Sequence, residues 1–363
     1  MSQRIVFTGG GTAGHVTPNL ALIKEFSADG WNIHYIGSAD GIEKGMIQNI
    51  GIPFHAVNSG KLRRYFSFKN ILDPFKIFIG VVQSFWLFHK LKPDVVFSKG
   101  GFVAFPVVVG AWLNRIPVVA HESDMTPGLA NRLCFPFVNK ICLTFEAGKK
   151  HFKRQDKIDV TGTPIRQQLF EGNKLRGLEL CGFKADKPCL LVIGGSLGAG
   201  SINQSVRSAL GELLKEYQVI HLCGKGKLDA SLDSLTGYRQ FEYANDELAD
   251  LFAISSVVIS RAGANSLYEI LALGKPHILI PLSAQVSRGD QIQNARYFQG
   301  MGISVVIQDQ SLNAGTLLNG LQEVMKNQMD IDNKIRALKI KSATDRIVAI
   351  IKEQADVQAP RTV

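Results

Sequence analysis

Arg4-Ile-Val-Phe-Thr8 runs without a break into Gly9-Gly-Gly-Thr-Ala-Gly-His15-Val-Thr-Pro18, and a helical pattern of apolar positions (Leu20, Ala21, Ile23, Phe26) starts near Pro18. Glycines between a strand and a helix let the backbone approach a ligand closely and aim helix-start N–H groups at an anion. The same arrangement returns as Cys189-Leu-Leu-Val-Ile193, Gly194-Gly-Ser-Leu-Gly-Ala-Gly200 and a helix over Ser201 to Lys215. Two such openings in one chain predict two similar α/β domains.

The segments between them support this. Short, β-branched, continuously apolar runs suit strands buried on both faces of a parallel sheet. They fall at His34–Gly37, Phe54–Val57, Val95–Ser98, Val118–His121, Lys140–Leu143 and Ile158–Val160 in the first half. In the second they fall at Gln218–Leu222, Phe241–Tyr243, Val257–Ser260, His277–Ile280 and Ile303–Val306. Helical patterns fill the gaps, giving a doubly wound α/β sheet in each half. Thr161-Gly-Thr-Pro164 and the polar sequence after it mark a boundary, so domains are expected at 1–163 and 164–342. A final helix at about 343–358 is long enough to return to the first domain.

A length of 363 residues with 45% apolar and 20% charged composition fits two folded domains. A strand directly after Met1 leaves no room for a signal peptide, and no apolar run reaches the roughly 18 residues that span a bilayer. The five cysteines show no C-x-x-C spacing and read as buried free thiols. Of the net charge of +10, the chain up to Pro164 carries +8, from 19 Lys/Arg against 11 Asp/Glu. The remainder has 22 against 20.

Gly9, Gly11 and Gly14 spell a dinucleotide fingerprint, but a nicotinamide enzyme needs a carboxylate at the end of the second strand. Tyr35-Ile-Gly-Ser38 offers none, and Asp40 comes late. No Lys-Ser or Lys-Thr follows the glycines, so a P-loop is excluded too. His15 stands at the loop's exit, where an imidazole can bond a diphosphate or accept a proton. Glu122 and Asp124, in His121-Glu-Ser-Asp124 after an apolar strand, are further candidate bases, and Lys99-Gly-Gly-Phe102 is a third loop on the same rim. In the second half, Gly194-Gly-Ser196 can present N–H groups and a hydroxyl to a diphosphate. Arg261 has a fork suited to phosphate. Glu269, in the second turn of the next helix, can accept two ribose hydroxyls. Asp290, Gln291 and Asn294 suit sugar hydroxyls. These groups together fit a sugar nucleotide, with no cluster of metal-ligand spacing and no cofactor expected.

The stretch from Lys61, Arg63 and Arg64 through Phe75 and Phe78 to Trp86 mixes aromatics and cations with few acids. It can lie on anionic lipid, form a core helix with one solvated face, or contact nucleic acid.

Taken in order, the glycine loop ending in His15, Lys99-Gly-Gly-Phe102, His121-Glu-Ser-Asp124 with Thr126-Pro-Gly-Leu-Ala-Asn131, Gly194-Gly-Ser196, Arg261-Ala-Gly-Ala264 to Glu269, and Gln291 resemble glycosyltransferase family 28. Within it they resemble the peptidoglycan N-acetylglucosaminyltransferases. The resemblance implies a GT-B fold, two Rossmann-like domains facing each other across a cleft. It implies inverting transfer of N-acetylglucosamine from UDP-N-acetylglucosamine to the C4 hydroxyl of the muramoyl unit of undecaprenyl-linked lipid I. It further implies peripheral attachment to an anionic membrane surface on the cytoplasmic side, contacts with cell-wall synthesis proteins, and no nucleic acid partner. Arg166, Ser196, Ala244, Ala264, Asn265, Ser266, Leu267, Tyr268, Glu269 and Gln291 would then hold the donor, with Thr12, Ala13, Gly14 and Asp124 near the transferred sugar or the acceptor. His15 or Glu122 would be the base. Asp124 stands where many members carry Asn, Ala13 where glycine is usual, Asp290 for a frequent Gln and Phe102 for a frequent Tyr. A UDP-N-acetylglucosamine 2-epimerase of the same architecture is the competing reading.

Overall fold

The computed structural model describes residues 2–60, 69–195 and 198–357. The chain divides into two compact units, one of residues 1–166 with 342–363 and one of residues 167–341.

The first unit carries a seven-stranded sheet of β1 (Arg4–Thr8), β2 (Asn32–Gly37), β3 (Phe54–Ala56), β4 (Val95–Ser98), β5 (Val118–Glu122), β6 (Lys140–Leu143) and β7 (Ile158–Val160). All neighbours are parallel, in the order β3-β2-β1-β4-β5-β6-β7. Helices α1 (Ala13–Ala28), α2 (Ile42–Gln48), α3 (Lys69–Leu91), α4 (Ala104–Leu113) and α5 (Leu129–Cys134) connect them.

The second unit holds α6 (Lys174–Cys181) and a six-stranded parallel sheet in the order β10-β9-β8-β11-β12-β13. Its strands are β8 (Cys189–Ile193), β9 (Gln218–Leu222), β10 (Tyr238–Phe241), β11 (Ser255–Ser260), β12 (His277–Leu279) and β13 (Val305–Val306). Around it run α7 (Gly200–Glu216), α8 (Leu248–Ile254), α9 (Ala264–Ala272), α10 (Asp290–Gly300), α11 (Ala314–Lys326) and α12 (Gln328–Ala337).

The last helix, α13 (Thr344–Asp356), belongs to the first unit. Ile347, Ile350 and Ile351 are fully or almost fully buried in one cluster with Ile5, Phe7, Phe26 and Phe97. The seam where the chain leaves and re-enters this unit is tied directly. The Ile165 N–H donates to Ser342 Oγ at 3.1 Å, and the Ala343 N–H donates to the Thr163 carbonyl at 3.2 Å.

Several element boundaries differ from the sequence reading. Helix α1 starts at Ala13, so Pro18 lies inside it, where its ring removes the N–H bond to the Gly14 carbonyl. Strand β10 is Tyr238–Phe241 because Tyr238 is buried on His221, whereas Tyr243 is exposed. Strand β13 is shortened to Val305–Val306. All five cysteines are buried and unpaired.

Candidate functional site

Strand order reverses between β1 and β4 in the first sheet and between β8 and β11 in the second. Ligands of doubly wound sheets bind beyond the strand ends at such a switch point. The loops after β1, β4, β8 and β11 contain the glycines singled out above.

In the first unit the glycine loop is held on every side. The Tyr35 hydroxyl donates to the Gly9 carbonyl at 2.6 Å, the Gly10 N–H to the Gly100 carbonyl at 3.3 Å, and the Gly11 N–H to Glu43 Oε2 at 3.1 Å. Gly101, at φ +88°, lies so close to the Gly10 backbone that a Cβ there would collide with it. Thr12 occupies the N-cap position of α1, yet its hydroxyl meets the His15 ring at 3.1 Å instead of capping the helix. His15 Nδ1 also lies 3.0 Å from the Gly10 carbonyl oxygen. A carbonyl only accepts, so Nδ1 carries the proton and the neutral ring keeps its lone pair on Nε2. Ala13 and Gly14 open the helix beside it.

The adjacent loop is organised by Glu122, the last residue of β5. Its Oε1 accepts the Asp124 N–H at 3.0 Å, while Oε2 accepts the Gly128 N–H at 3.0 Å and Asn131 Nδ2 at 2.9 Å. This buried carboxylate, expected as a possible base, has both oxygens engaged in holding the turn. Lys99 is buried beside it with Nζ on Ser123 Oγ. Burial pushes its pKa down to about 8, with Glu122 and Asp124 pulling the other way. His121 donates to the Gly162 carbonyl from Nε2 at 2.8 Å, and burial holds its pKa well below the usual range. It is an interior residue.

In the second unit, Gly195 turns with φ +89° after β8; Ser196 lies outside the described residues. Helix α9 starts at Ala264, and its N-cap Gly263 brings no capping side chain. A helix start of this kind leaves its first N–H groups without intrahelical acceptors. Leu267 and Tyr268 are buried, and the Leu267 N–H is already bonded to the Gly263 carbonyl, so these two are packing residues. Asn265, Ser266 and Glu269 are half-buried on the other face. Gln291 accepts the Leu282 N–H at 3.1 Å, fixing the start of α10. Ala244 lies half-buried in the loop after β10, and Arg166 is half-buried at the end of the first unit.

Two expectations are corrected here. The Arg261 fork does not stand open for phosphate. Nη1 bonds Asp309 at 2.7 Å and the Ile280 carbonyl at 3.1 Å, and Nη2 bonds Ser201 at 3.0 Å. Asn294 is fully buried and donates to the Ala262 carbonyl, so its amide braces the loop after β11 from the interior.

Helix α3 shows an unusual surface. One face packs on α4, with Gly80 against Pro106, and Ser84 against Gly110. Phe75, Phe78, Ile79, Val82 and Trp86 remain exposed along another face. Lys61, Arg63 and Arg64 lie outside the described residues. No helix among the described residues is long and apolar enough to cross a membrane.

Two doubly wound parallel sheets, each with glycine loops at its switch point, are the architecture of the GT-B class. Residues 5–143 match the glycosyltransferase family 28 N-terminal domain and residues 189–350 the family's C-terminal domain. The UDP-N-acetylglucosamine–N-acetylmuramyl-(pentapeptide) pyrophosphoryl-undecaprenol N-acetylglucosamine transferase of Legionella pneumophila (strain Lens) is 78% identical over the full length of both chains. The chain belongs to glycosyltransferase family 28. The crystal structure of MurG from Acinetobacter baumannii superposes with a TM-score of 0.76 at 24% identity, over 97% of this chain and 100% of that one. A UDP-N-acetylglucosamine 2-epimerase from Neisseria meningitidis, solved with UDP-N-acetylglucosamine, reaches 0.65 at 14% identity over 99% and 100%. The epimerase is a relative in fold alone.

Sequence reasoning missed Glu43, Tyr35, Ser201 and Asp309, which hold the two loop systems from behind. Glu43 had a local signal, a carboxylate that closely follows Gly37 and Gly41. The others are recognisable only once the strands are paired.

Proposed function

We infer that this chain transfers N-acetylglucosamine from UDP-N-acetylglucosamine to the C4 hydroxyl of the muramoyl unit of lipid I, with inversion at the anomeric carbon, giving lipid II for peptidoglycan synthesis. The observation that carries this reading is the 78% identity to a transferase of that description, end to end. The first unit takes the acceptor and the second the donor. His15 Nε2 accepts the proton of the C4 hydroxyl as its oxygen attacks the anomeric carbon and the bond to UDP breaks. Thr12 to Gly14 and Asp124 line the approach, and Glu122 keeps that turn in shape. The start of α9, with the glycine loop and Ser196 after β8, stabilises the charge developing on the diphosphate. Arg166, Ala244 and Gln291 complete the donor pocket, and Glu269 accepts the ribose hydroxyls.

The exposed apolar face of α3, with Lys76 and Lys90 on the same helix, is the surface we assign to the membrane. A helix apolar on both its packed and its open face needs a second apolar environment. Anionic headgroups suit the net positive charge of this half of the chain. Attachment is peripheral, on the cytoplasmic side, where the lipid-linked acceptor is presented.

The test is incubation with radiolabelled UDP-N-acetylglucosamine and a lipid I analogue. Acceptor-dependent appearance of label in a lipid II product is expected. Release of UDP with label only in free sugar, or C2 epimerisation without transfer, would defeat the assignment.

A further inference from the structure

Glu43 is fully buried, and its carboxylate accepts three donors: the Gly11 N–H at 3.1 Å, the Ser38 N–H at 2.9 Å and the Ser38 hydroxyl at 2.5 Å. A buried charge is costly unless its lone pairs are satisfied. Space for it is made by absent side chains, because a Cβ on Gly10 or Gly41 would be driven into the carboxylate. Gly10, one of the glycines that read as a ligand loop, is therefore also required by an internal carboxylate.

The Gly10 carbonyl and the Gly11 N–H are the two ends of one planar peptide group. One end faces Glu43 at 3.1 Å, and the other faces His15 Nδ1 at 3.0 Å. A carboxylate at the N–H end polarises the amide and increases the negative charge on its oxygen, which strengthens the bond at the far end. We propose that Glu43 is a positioning residue for the transfer reaction, acting on His15 through the Gly10–Gly11 peptide group. It fixes the plane of that peptide, keeps the ring protonated on Nδ1 and makes the ring more basic at Nε2. The arrangement has the logic of a carboxylate orienting a histidine, with one peptide group inserted between them. No proton leaves Glu43 or the peptide during turnover.

The Thr12 hydroxyl lies 3.1 Å from the same Nδ1 and accepts from it alongside the Gly10 carbonyl. Tyr35 donates to the Gly9 carbonyl, one peptide group earlier in the loop. Lys99 backs onto Gly9 from the loop after β4, with its ammonium on Ser123 and its charge facing Glu122 and Asp124. Glu43 is the carboxylate hydrogen-bonded to the peptide that His15 uses.

The proposal rests on the reading of His15 as the base, so its test separates the two. Histidine is labelled with nitrogen-15 in the full-length protein, and His15 is assigned by comparison with His15→Gln. The neutral ring is expected to be protonated on Nδ1. Glu43→Gln should move population toward the Nε2–H tautomer and lower the His15 pKa by about half a unit. It should also lower kcat about tenfold while KM for UDP-N-acetylglucosamine stays within about twofold. Ser38→Ala removes one competing donor and leaves the charge more fully on Gly11, so the pKa should move upward. This second variant decides the matter if Glu43→Gln does not fold. A His15 tautomer and pKa unmoved in a folded variant would overturn the proposal. Movement in the spectra with an unmoved pH–rate limb would support the coupling and reject His15 as the base.

Discussion

Asp309 grips Arg261: one carboxylate oxygen lies 2.7 Å from Nη1 and also 2.7 Å from the Ser201 hydroxyl, which in turn accepts from Nη2. This closed triangle joins the end of β11 to the first turn of α7 and the loop beyond β13. Both charges are mostly buried. Arg261→Ala should therefore cost stability, about 3 kcal/mol, by leaving the carboxylate without its partner. The Arg261→Ala/Asp309→Ala double variant should lose less than the sum of the singles by about 1 kcal/mol or more, read from denaturant unfolding. An arginine serving phosphate would instead raise KM for UDP-N-acetylglucosamine and leave the unfolding midpoint in place.

His15 and Glu122 should separate kinetically. His15→Ala is expected to lower kcat about 10²- to 10⁴-fold at saturating substrates and to remove the acidic limb of its pH profile. Glu122→Gln weakens a turn that three N–H donors maintain, so it should cost about 1–3 kcal/mol of stability. Its residual activity should keep the wild-type pH dependence. A lost acidic limb in Glu122→Gln with a normal one in His15→Ala would reverse these roles.

Lys99 gives the protein an alkaline signature. Burial lowers its pKa from 10.5 to about 8 in the folded chain, against the pull of Glu122 and Asp124. Between about pH 8 and 10.5 the unfolded chain holds a proton that the folded chain has released, so this group adds stability as pH rises through that window. The gain is on the order of 3 kcal/mol at the upper end. Subtracting the stability–pH curve of Lys99→Met from that of the wild type should isolate the rise. A flat difference curve would mean that Lys99 stays charged.

Acid should act in the opposite direction. Burial, with Arg207 nearby, brings His221 down to about 3, and burial brings His277 down to about 4. Both are neutral in the folded chain at pH 5 but mostly protonated once unfolded. Stability contributed by their neutral forms is lost as pH falls from 6.5 toward those values. Unfolding at pH 5 should take up about two protons from this pair, measurable by potentiometric titration. His221→Gln should reduce the uptake by about one.

The α3 face predicts a membrane phenotype without a chemical one. Phe75→Glu and Trp86→Glu should each weaken binding to vesicles containing anionic lipid by about tenfold or more, given the apolar area each ring would otherwise bury. Turnover of a short-chain, water-soluble acceptor should be unchanged. Vesicle binding that ignores both substitutions would reject this face as the docking surface.

The strands were legible because each is a short apolar run between glycine or polar breaks, and β1 and β8 fall where periodicity places them. The glycine loops were legible as positions but not as partners. After β2 the sequence offers exposed Asp40, while Glu43 points inward from the next helix. Arg261 read as a phosphate fork because its neutralising partner lies 48 positions further along the chain. Asn294 read as a sugar ligand because helical phase alone does not say which face α10 turns to the core. In each case the side chain's type was informative, and its direction was set by tertiary contacts the sequence does not state.

The tie between Ile165 and Ser342 has a consequence for biosynthesis. The strands of the first unit are made before the second unit, yet Ile347, Ile350 and Ile351, which fill its core beside Phe7 and Phe97, are made after it. The second unit is complete in sequence before they emerge from the ribosome. Synthesis of this chain is therefore nested: the domain that starts first is completed after the insert, and its β1–β4 face lacks its apolar cover until α13 is made.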